Sequence, residues 1–151
     1  MKLTRIAVLA VATFTIHLDG QGVTIAQDTK QCIHGTVSVA VALAGKLKPA
    51  ATLFVYVREI DRSHGAPTAV ISIKEPRYPQ AFKLCPSDQM LPDTAANPLS
   101  GLYRVHARHS ATGKAMVEEG FVGVAAGANG AGIRAGESAK VLIDRAVDKA
   151  K

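Results

Sequence analysis

Residues 34–60 constrain the fold of this chain most strongly, because two β-rich runs lie there with a ten-residue connection between them. The first run, His34–Val41, alternates valines with small or polar residues. The second, Thr52–Ile60, is apolar on both faces, with Leu53 on one side and Phe54 on the other. Such a strand is typical of the interior of a sheet that is covered from both sides. The sequence therefore predicts a sheet built around Thr52–Ile60.

Five further β-rich runs follow, and turn-forming residues separate them. They are Thr68–Lys74, Ala81–Cys85, Leu102–Ser110, Ala115–Val124 and Lys140–Val147. Between the first two strands we expect no more than a turn of helix, since Gly45 and Pro49 interrupt it. About seven short strands without a long helix predict a single all-β domain, an immunoglobulin-like antiparallel β-sandwich. We expect this domain over residues 34–147, with a flexible leader at 27–33 and a tail at 148–151.

The N-terminus has the layout of a secretory signal peptide. Lys2 and Arg5 precede an apolar run over residues 6–18, and small residues lead to a cleavage site after Ala26. The apolar run is shorter than the roughly 20 residues that span a bilayer. We therefore expect residues 1–26 to be removed, leaving a periplasmic or secreted protein without a membrane span. The alternative is an unprocessed amphipathic N-terminus.

The charge of the chain is moderately basic. The formal net charge is +6, and removal of Lys2, Arg5 and Asp19 leaves 16 basic and 11 acidic residues, or +5. This excess fits an anionic partner, but it also fits solubility alone. With no dense Lys/Arg cluster and only 5% aromatic residues, the sequence argues against nucleic-acid binding.

The two cysteines of the mature chain are Cys32 and Cys85. In an oxidising compartment an even count favours a structural disulfide. Closing a loop of this length would stabilise the folded protein by about 4 kcal/mol. A reactive or metal-binding pair is the alternative. Cys85 and Met90 are soft ligands of the kind that copper prefers. No histidine lies between them, however, and an oxidised Cys85 is lost as a thiolate, so Met90 with His106 is only a weak metal candidate.

The strand Leu102–Ser110 carries the main candidate binding residues. Its alternation places Arg104, His106 and Arg108 on the outward face. Such a row can hold a carboxylate through charge-assisted hydrogen bonds, and the alternative is an ordinary solvated face. His106 and His109 fall on opposite faces, so they are poorly placed to share one metal ion.

No catalytic constellation is evident. Ser63 and His64 lie in a turn, and no nucleophile-elbow motif accompanies them. The glycines of residues 130–136 have the wrong spacing for a dinucleotide loop. We therefore expect a protein that is not an enzyme and that needs no cofactor.

The order of several segments resembles a known family. In sequence they are residues 35–39, 49–58, 65–73, 79–84, 103–110 with 112–115, and 141–145. Together they resemble the C-terminal periplasmic domain of the cytochrome c maturation protein I family, also called cytochrome c biogenesis protein H. The resemblance spans roughly residues 34–147.

The resemblance implies an accessory role. Full-length family members carry N-terminal membrane helices and helical repeats that are associated with holding apocytochrome tails, and neither precedes the domain in this sequence. Cys85 is unusual at its position, and with Cys32 it implies a disulfide that pins the N-terminus to the following loop. We expect a free-standing, non-catalytic protein-binding domain that serves cytochrome c biogenesis or an electron-transfer complex. A c-type cytochrome or its assembly machinery is the expected partner. The alternatives are a small copper-handling protein and a secreted structural or adhesion domain.

Overall fold

The computed structural model describes residues 31–62, 64–91, 98–115, 119–127 and 130–147. The expected signal peptide, most of the leader and the tail lie outside these ranges. Eight strands form most of the described chain: β1 Ile33–Val39, β2 Thr52–Glu59, β3 Ala69–Lys74, β4 Gln80–Leu84, β5 Tyr103–Ser110, β6 Phe121–Ala125, β7 Ser138–Ile143 and β8 Arg145–Ala146. One short helix, α1 Val41–Ala44, follows β1, and a 3₁₀ turn over Pro86–Asp88 follows β4.

The strands form two sheets, which confirms the immunoglobulin-like sandwich. The smaller sheet has the order β4-β1-β7 and the larger one the order β3-β2-β5-β6-β8. All pairings are antiparallel except that of β1 with β7, which is parallel. The strand count is eight rather than about seven, because the last predicted run divides into β7 and β8.

The division of that last run closes one side of the sandwich. β7 pairs with β1 in the smaller sheet, and two residues later β8 pairs with β6 in the larger one. Between them, the Asp144 backbone N–H donates a hydrogen bond to the Val122 carbonyl at 3.2 Å. The chain therefore changes sheets at Asp144, and this single segment ties the two layers together.

Alternating residues of the strands fill the space between the sheets. On the larger sheet, the residues that point inward and are fully buried include Leu53, Val55, Val57, Val105 and Ala107. The smaller sheet contributes Ile33, Val37, Leu84, Val141 and Ile143 to the same cluster. This alternation has the period of two that a half-buried strand requires, and it leaves the opposite face of β2 and β5 outside the core.

The expectation that β2 is covered from both sides is wrong. Its inward residues are buried, but Phe54 and Tyr56 are only half-buried. Among the described residues no third layer packs on that face. Long side chains of the neighbouring strand β5 lie beside the two aromatic rings instead, so an apolar pattern on both faces did not require a second layer.

The N-terminal boundary of the sandwich lies slightly earlier than expected. Cys32 and Ile33, predicted to end the flexible leader, are fully buried. Ile33 starts β1, and Cys32 forms a disulfide with Cys85 beside the 3₁₀ turn. The disulfide therefore fixes the start of β1 to the end of β4. No helix in the described ranges has both the length and the apolar character needed to cross a bilayer.

Candidate partner-binding face

The outward surface of the larger sheet is the candidate site. The register of β2 and β5 places Tyr56 opposite His106 and Arg58 opposite Arg104. Opposite residues of an antiparallel pair project from the same side of the sheet, so β2 adds to the row that β5 presents. We call this surface the arginine face, and it consists of Tyr56, Arg58, Arg104, His106, Arg108 and Arg145.

An aromatic stack forms the centre of the arginine face. The rings of Tyr56 and His106 are parallel within 1°, with centroids 4.9 Å apart. The Arg58 guanidinium lies over the Tyr56 ring at 5.4 Å from its centroid. Stacking and cation–π contacts of this kind each contribute about 0.5–1.5 kcal/mol. They hold the three side chains in fixed positions on an otherwise open sheet.

His106 is electrically neutral at physiological pH. Its pKa is lowered from 6.5 to about 4, first by burial and then by the positive charges of Arg58, Arg104 and Arg145. A buried imidazole next to cations loses its proton more easily, since both effects disfavour the charged form. The arginines therefore supply the positive charge of the face, and His106 supplies a ring and neutral hydrogen-bonding atoms.

Two of the arginines lack ionic partners within the described part of the chain. Neither Arg104 nor Arg108 forms a salt bridge there, whereas Arg145 Nη1 lies 3.5 Å from Asp144 Oδ1. The Nε and Nη2 atoms of Arg108 are buried and have no hydrogen-bond partner among the described residues. A buried donor without an acceptor costs free energy, on the order of 1–3 kcal/mol.

The structure brings together the three residues that the sequence singled out on this strand. Arg104, His106 and Arg108 share the outward face of β5, whereas His109 points inward and is 2% exposed. The histidines thus lie on opposite faces, as predicted. Binding of an anion by these residues stays a prediction.

Three members of the arginine face, Tyr56, Arg58 and Arg145, were not predicted from the sequence. Tyr56 and Arg58 alternate correctly along β2, but only the cross-strand register shows that they lie beside β5. Arg145 reaches the face because β8 pairs with β6, opposite Val122. In β2, the spacing of two residues between Tyr56 and Arg58 could have shown that both side chains lie on the same face. For Arg145 there was no such signal, because the change of sheet is not visible in the alternation.

The structure does not bring the metal candidates together. Both cysteines are in the disulfide, so neither is a thiolate ligand. Met90 is 50% exposed and follows Gln89, which pairs with the first residue of β3. Since β3 and β2 lie between that segment and β5, Met90 and His106 are about 14 Å apart or more at a strand spacing of roughly 4.8 Å. No group of three His, Cys, Asp or Glu suited to a metal occurs in the described ranges.

A protein-family model matches most of the chain. Residues 33–144 match the model of the cytochrome c-type biogenesis protein H Ig-like domain. The chain belongs to this family. The matched range includes every residue of the arginine face except Arg145, and it includes Cys85 but not Cys32. The disulfide therefore joins the matched domain to the residue immediately before it.

A search of curated proteins found no match. The chain is similar to the solved structure of an alternative pilotin from the type II secretion system of Vibrio cholerae, with 18% identity and a TM-score of 0.45. That similarity covers 74% of this chain and 94% of the pilotin chain.

Proposed function

We propose that this protein is a non-catalytic accessory domain of cytochrome c assembly that binds an acidic protein surface through the arginine face. The observation that carries the proposal is the pair Arg104 and Arg108, which have no salt bridge within the described residues. They lie beside a fixed aromatic stack on an open sheet. Arginine is well suited to carboxylates because its planar guanidinium forms two parallel hydrogen bonds.

The arrangement favours binding over bond-making chemistry. The arginine face presents charged donors and stacked rings, and such a surface gives electrostatic complementarity to an acidic partner. Its aromatic and arginine side chains are also the residue types that dominate binding energy at protein interfaces. Family membership supports a partner among the components of cytochrome c assembly.

An extracytoplasmic location belongs to the same proposal. The Cys32–Cys85 disulfide is of the kind that persists in oxidising compartments. Family membership supports the same location. A partner in the periplasm or on the outer side of the membrane would therefore meet this face directly.

Affinity capture tests the proposal. The intact protein, tagged at its C-terminus, is incubated with extracytoplasmic extract and solubilised membranes of its own cell, and captured proteins are identified by mass spectrometry. We expect c-type cytochromes or their assembly factors to be enriched. The Arg104→Glu/Arg108→Glu variant should capture at least tenfold less, because reversal replaces attraction with repulsion.

The matched control reverses the charge of two lysines on the opposite side of the sandwich. Lys83→Glu/Lys140→Glu changes the net charge by the same amount, but these residues project from the smaller sheet. This variant should capture the partners as well as the native protein does. Equal losses in both variants would show that only net charge matters, and a capture without any assembly component would favour the structural or adhesion alternative.

A further inference from the structure

The outward surface of the larger sheet is divided into rows of different chemical character. Residues that lie opposite one another on neighbouring strands form a row across the sheet and project from the same side. The strand register gives three successive rows on this surface. The first basic row contains Arg58 and Arg104, and the second basic row contains Arg108 and Arg145. A middle row lies between these two.

The middle row carries no charge. It consists of Val70, Tyr56, His106 and Val124, which are opposite one another on four strands. The lowered pKa of His106 leaves its ring neutral near pH 7. The Val124 side chain is 39% exposed, and the other three are half-buried. No residue of the three rows is acidic. Along the strand direction the surface is therefore basic, uncharged and basic in turn.

β5 is the strand that supplies an arginine to both basic rows. Arg104 lies in the first row and Arg108 in the second, with His106 halfway between them. At roughly 3.3 Å per residue, the two arginines are about 13 Å apart along the strand. β2 and β8 each supply an arginine to one row only. A bound segment that follows β5 therefore meets all three rows, whereas one that follows the middle row has an arginine on both sides only where it crosses β5.

An extended segment matches this spacing residue for residue. Its alternate side chains project from one face at the same interval as those of β5, so positions i, i+2 and i+4 can lie over Arg104, His106 and Arg108. In an α-helix that follows β5, positions i, i+4 and i+8 have a similar axial spacing, but the third is rotated about 80° from the first. A helix therefore cannot present all three side chains to the sheet.

Each part of such a segment has a complementary group on the face. A guanidinium binds a carboxylate through charge-assisted hydrogen bonds, which favours acidic residues over the basic rows. An apolar side chain over the middle row removes the exposed surface of Val124 and of the adjacent rings from water. On the basis of the function proposed above, we propose that the arginine face recognises an extended segment of its partner in which two acidic residues flank an apolar residue at alternate positions.

Three isomeric peptides test this pattern by nuclear magnetic resonance titration of the intact protein at low salt. They are acetyl-Thr-Glu-Thr-Leu-Thr-Glu-Thr-amide, acetyl-Glu-Thr-Thr-Leu-Thr-Thr-Glu-amide and acetyl-Thr-Thr-Glu-Leu-Glu-Thr-Thr-amide. Their composition and charge are identical, and only the first has its glutamates and leucine at alternate positions. We expect the first to bind at least about threefold more tightly, because each of the others loses at least one of the contacts. The shifts should include Arg104, His106 and Arg108.

The apolar contact is tested by a matched pair of valine substitutions. Replacing the leucine of the first peptide with threonine should weaken its binding to the native protein about twofold to threefold. In Val124→Thr the same replacement should have a smaller effect, because the middle row has lost its most exposed apolar side chain. Val41→Thr is the control, since Val41 lies on α1 and is 94% exposed. In that variant the effect of the leucine should be unchanged.

Equal binding of the three isomers would overturn the proposed pattern, and so would an undiminished effect of the leucine in Val124→Thr. A parallel titration with hexaglutamate distinguishes this failure from failure of the proposed function. Shifts of Arg104 and Arg108 with hexaglutamate, together with equal binding of the isomers, would mean that the face binds acidic segments whatever the order of their residues. If neither hexaglutamate nor any isomer shifts these arginines, the acidic partner is contradicted as well.

Discussion

At the scale of single residues, His106 shows how position decides chemical character. Partial burial, and after it the charges of three arginines, lower its pKa to about 4, so it does not act as a third cation between Arg104 and Arg108. Its ring instead stacks on Tyr56, which lies opposite it on β2. The charge of the arginine face is consequently constant between about pH 5 and pH 8, where neither arginine nor this histidine changes protonation.

The lowered pKa of His106 predicts a specific pH dependence of stability. The unfolded chain takes up the proton near pH 6.5 and the folded protein only near pH 4, so stability present above pH 6.5 is lost as the pH falls towards 4. After allowance for solvent screening, the loss is about 1–2 kcal/mol.

Urea unfolding of the native protein and of His106→Gln checks this dependence at pH 7 and at pH 4.5. The native protein should lose about 1–2 kcal/mol more than the variant between the two pH values. The lowered pKa of His109 is common to both proteins and cancels in the difference. Parallel pH profiles for the two proteins would contradict the assignment.

At this scale, the sequence predicts which face of a strand each side chain occupies, because side chains alternate with a period of two residues. Alternation alone placed Arg104, His106 and Arg108 outward, because successive side chains of a strand point to opposite faces. It could not place Tyr56 against His106. That contact depends on the register of β2 with β5, which the core and the turns decide together.

At the scale of elements, the change of sheet between β7 and β8 is the least expected feature. The run Lys140–Val147 alternates without a visible break, and we predicted one strand there. The structure divides this run at Asp144. The backbone of β6 approaches β7 closely at Gly123, and β6 pairs with β8 at Phe121 and Val122. A Cβ atom on Gly123 would overlap the backbone carbonyl of Leu142. Only glycine permits this approach.

Gly123→Ala should therefore destabilise the sandwich by about 2 kcal/mol or more, because the obstacle is backbone that cannot rotate away. Gly45→Ala is the matched control, since it follows α1 in a right-handed helical conformation and a Cβ there meets nothing within 4 Å. Thermal unfolding of the two variants measures the effect. Equal melting temperatures would show that β6 and β7 separate readily.

At the scale of the whole molecule, two features hold the strands together: the disulfide within the smaller sheet, and the segment that passes from the smaller sheet to the larger one. Cys32–Cys85 joins the start of β1 to the end of β4, and β7 with β8 links the smaller sheet to the larger one. The even cysteine count was enough to favour the bond. That Cys32 and Ile33 are buried was not predictable, since the short polar stretch before them resembles a leader.

The disulfide should contribute about 4 kcal/mol to the free energy of unfolding, because it closes a loop with a sequence separation of 53. Denaturation of Cys32→Ala/Cys85→Ala in guanidinium chloride should show a loss of that order. The same loss should appear in the native protein after reduction with dithiothreitol, which leaves the variant unchanged. A loss below about 1 kcal/mol would mean that packing alone holds β1 in place.

The most direct measurement of the anion-binding role is a titration of the labelled protein with hexaglutamate at low salt, followed through the arginine Nε–H signals and the backbone amides. We predict saturable shifts at Arg104 and Arg108 and along the outward residues of β2 and β5, weakening as salt is added. The Arg104→Glu/Arg108→Glu variant should show none of these shifts. Shifts centred instead on Lys83 and Lys140, or no shifts at low salt, would contradict the arginine face as the binding surface.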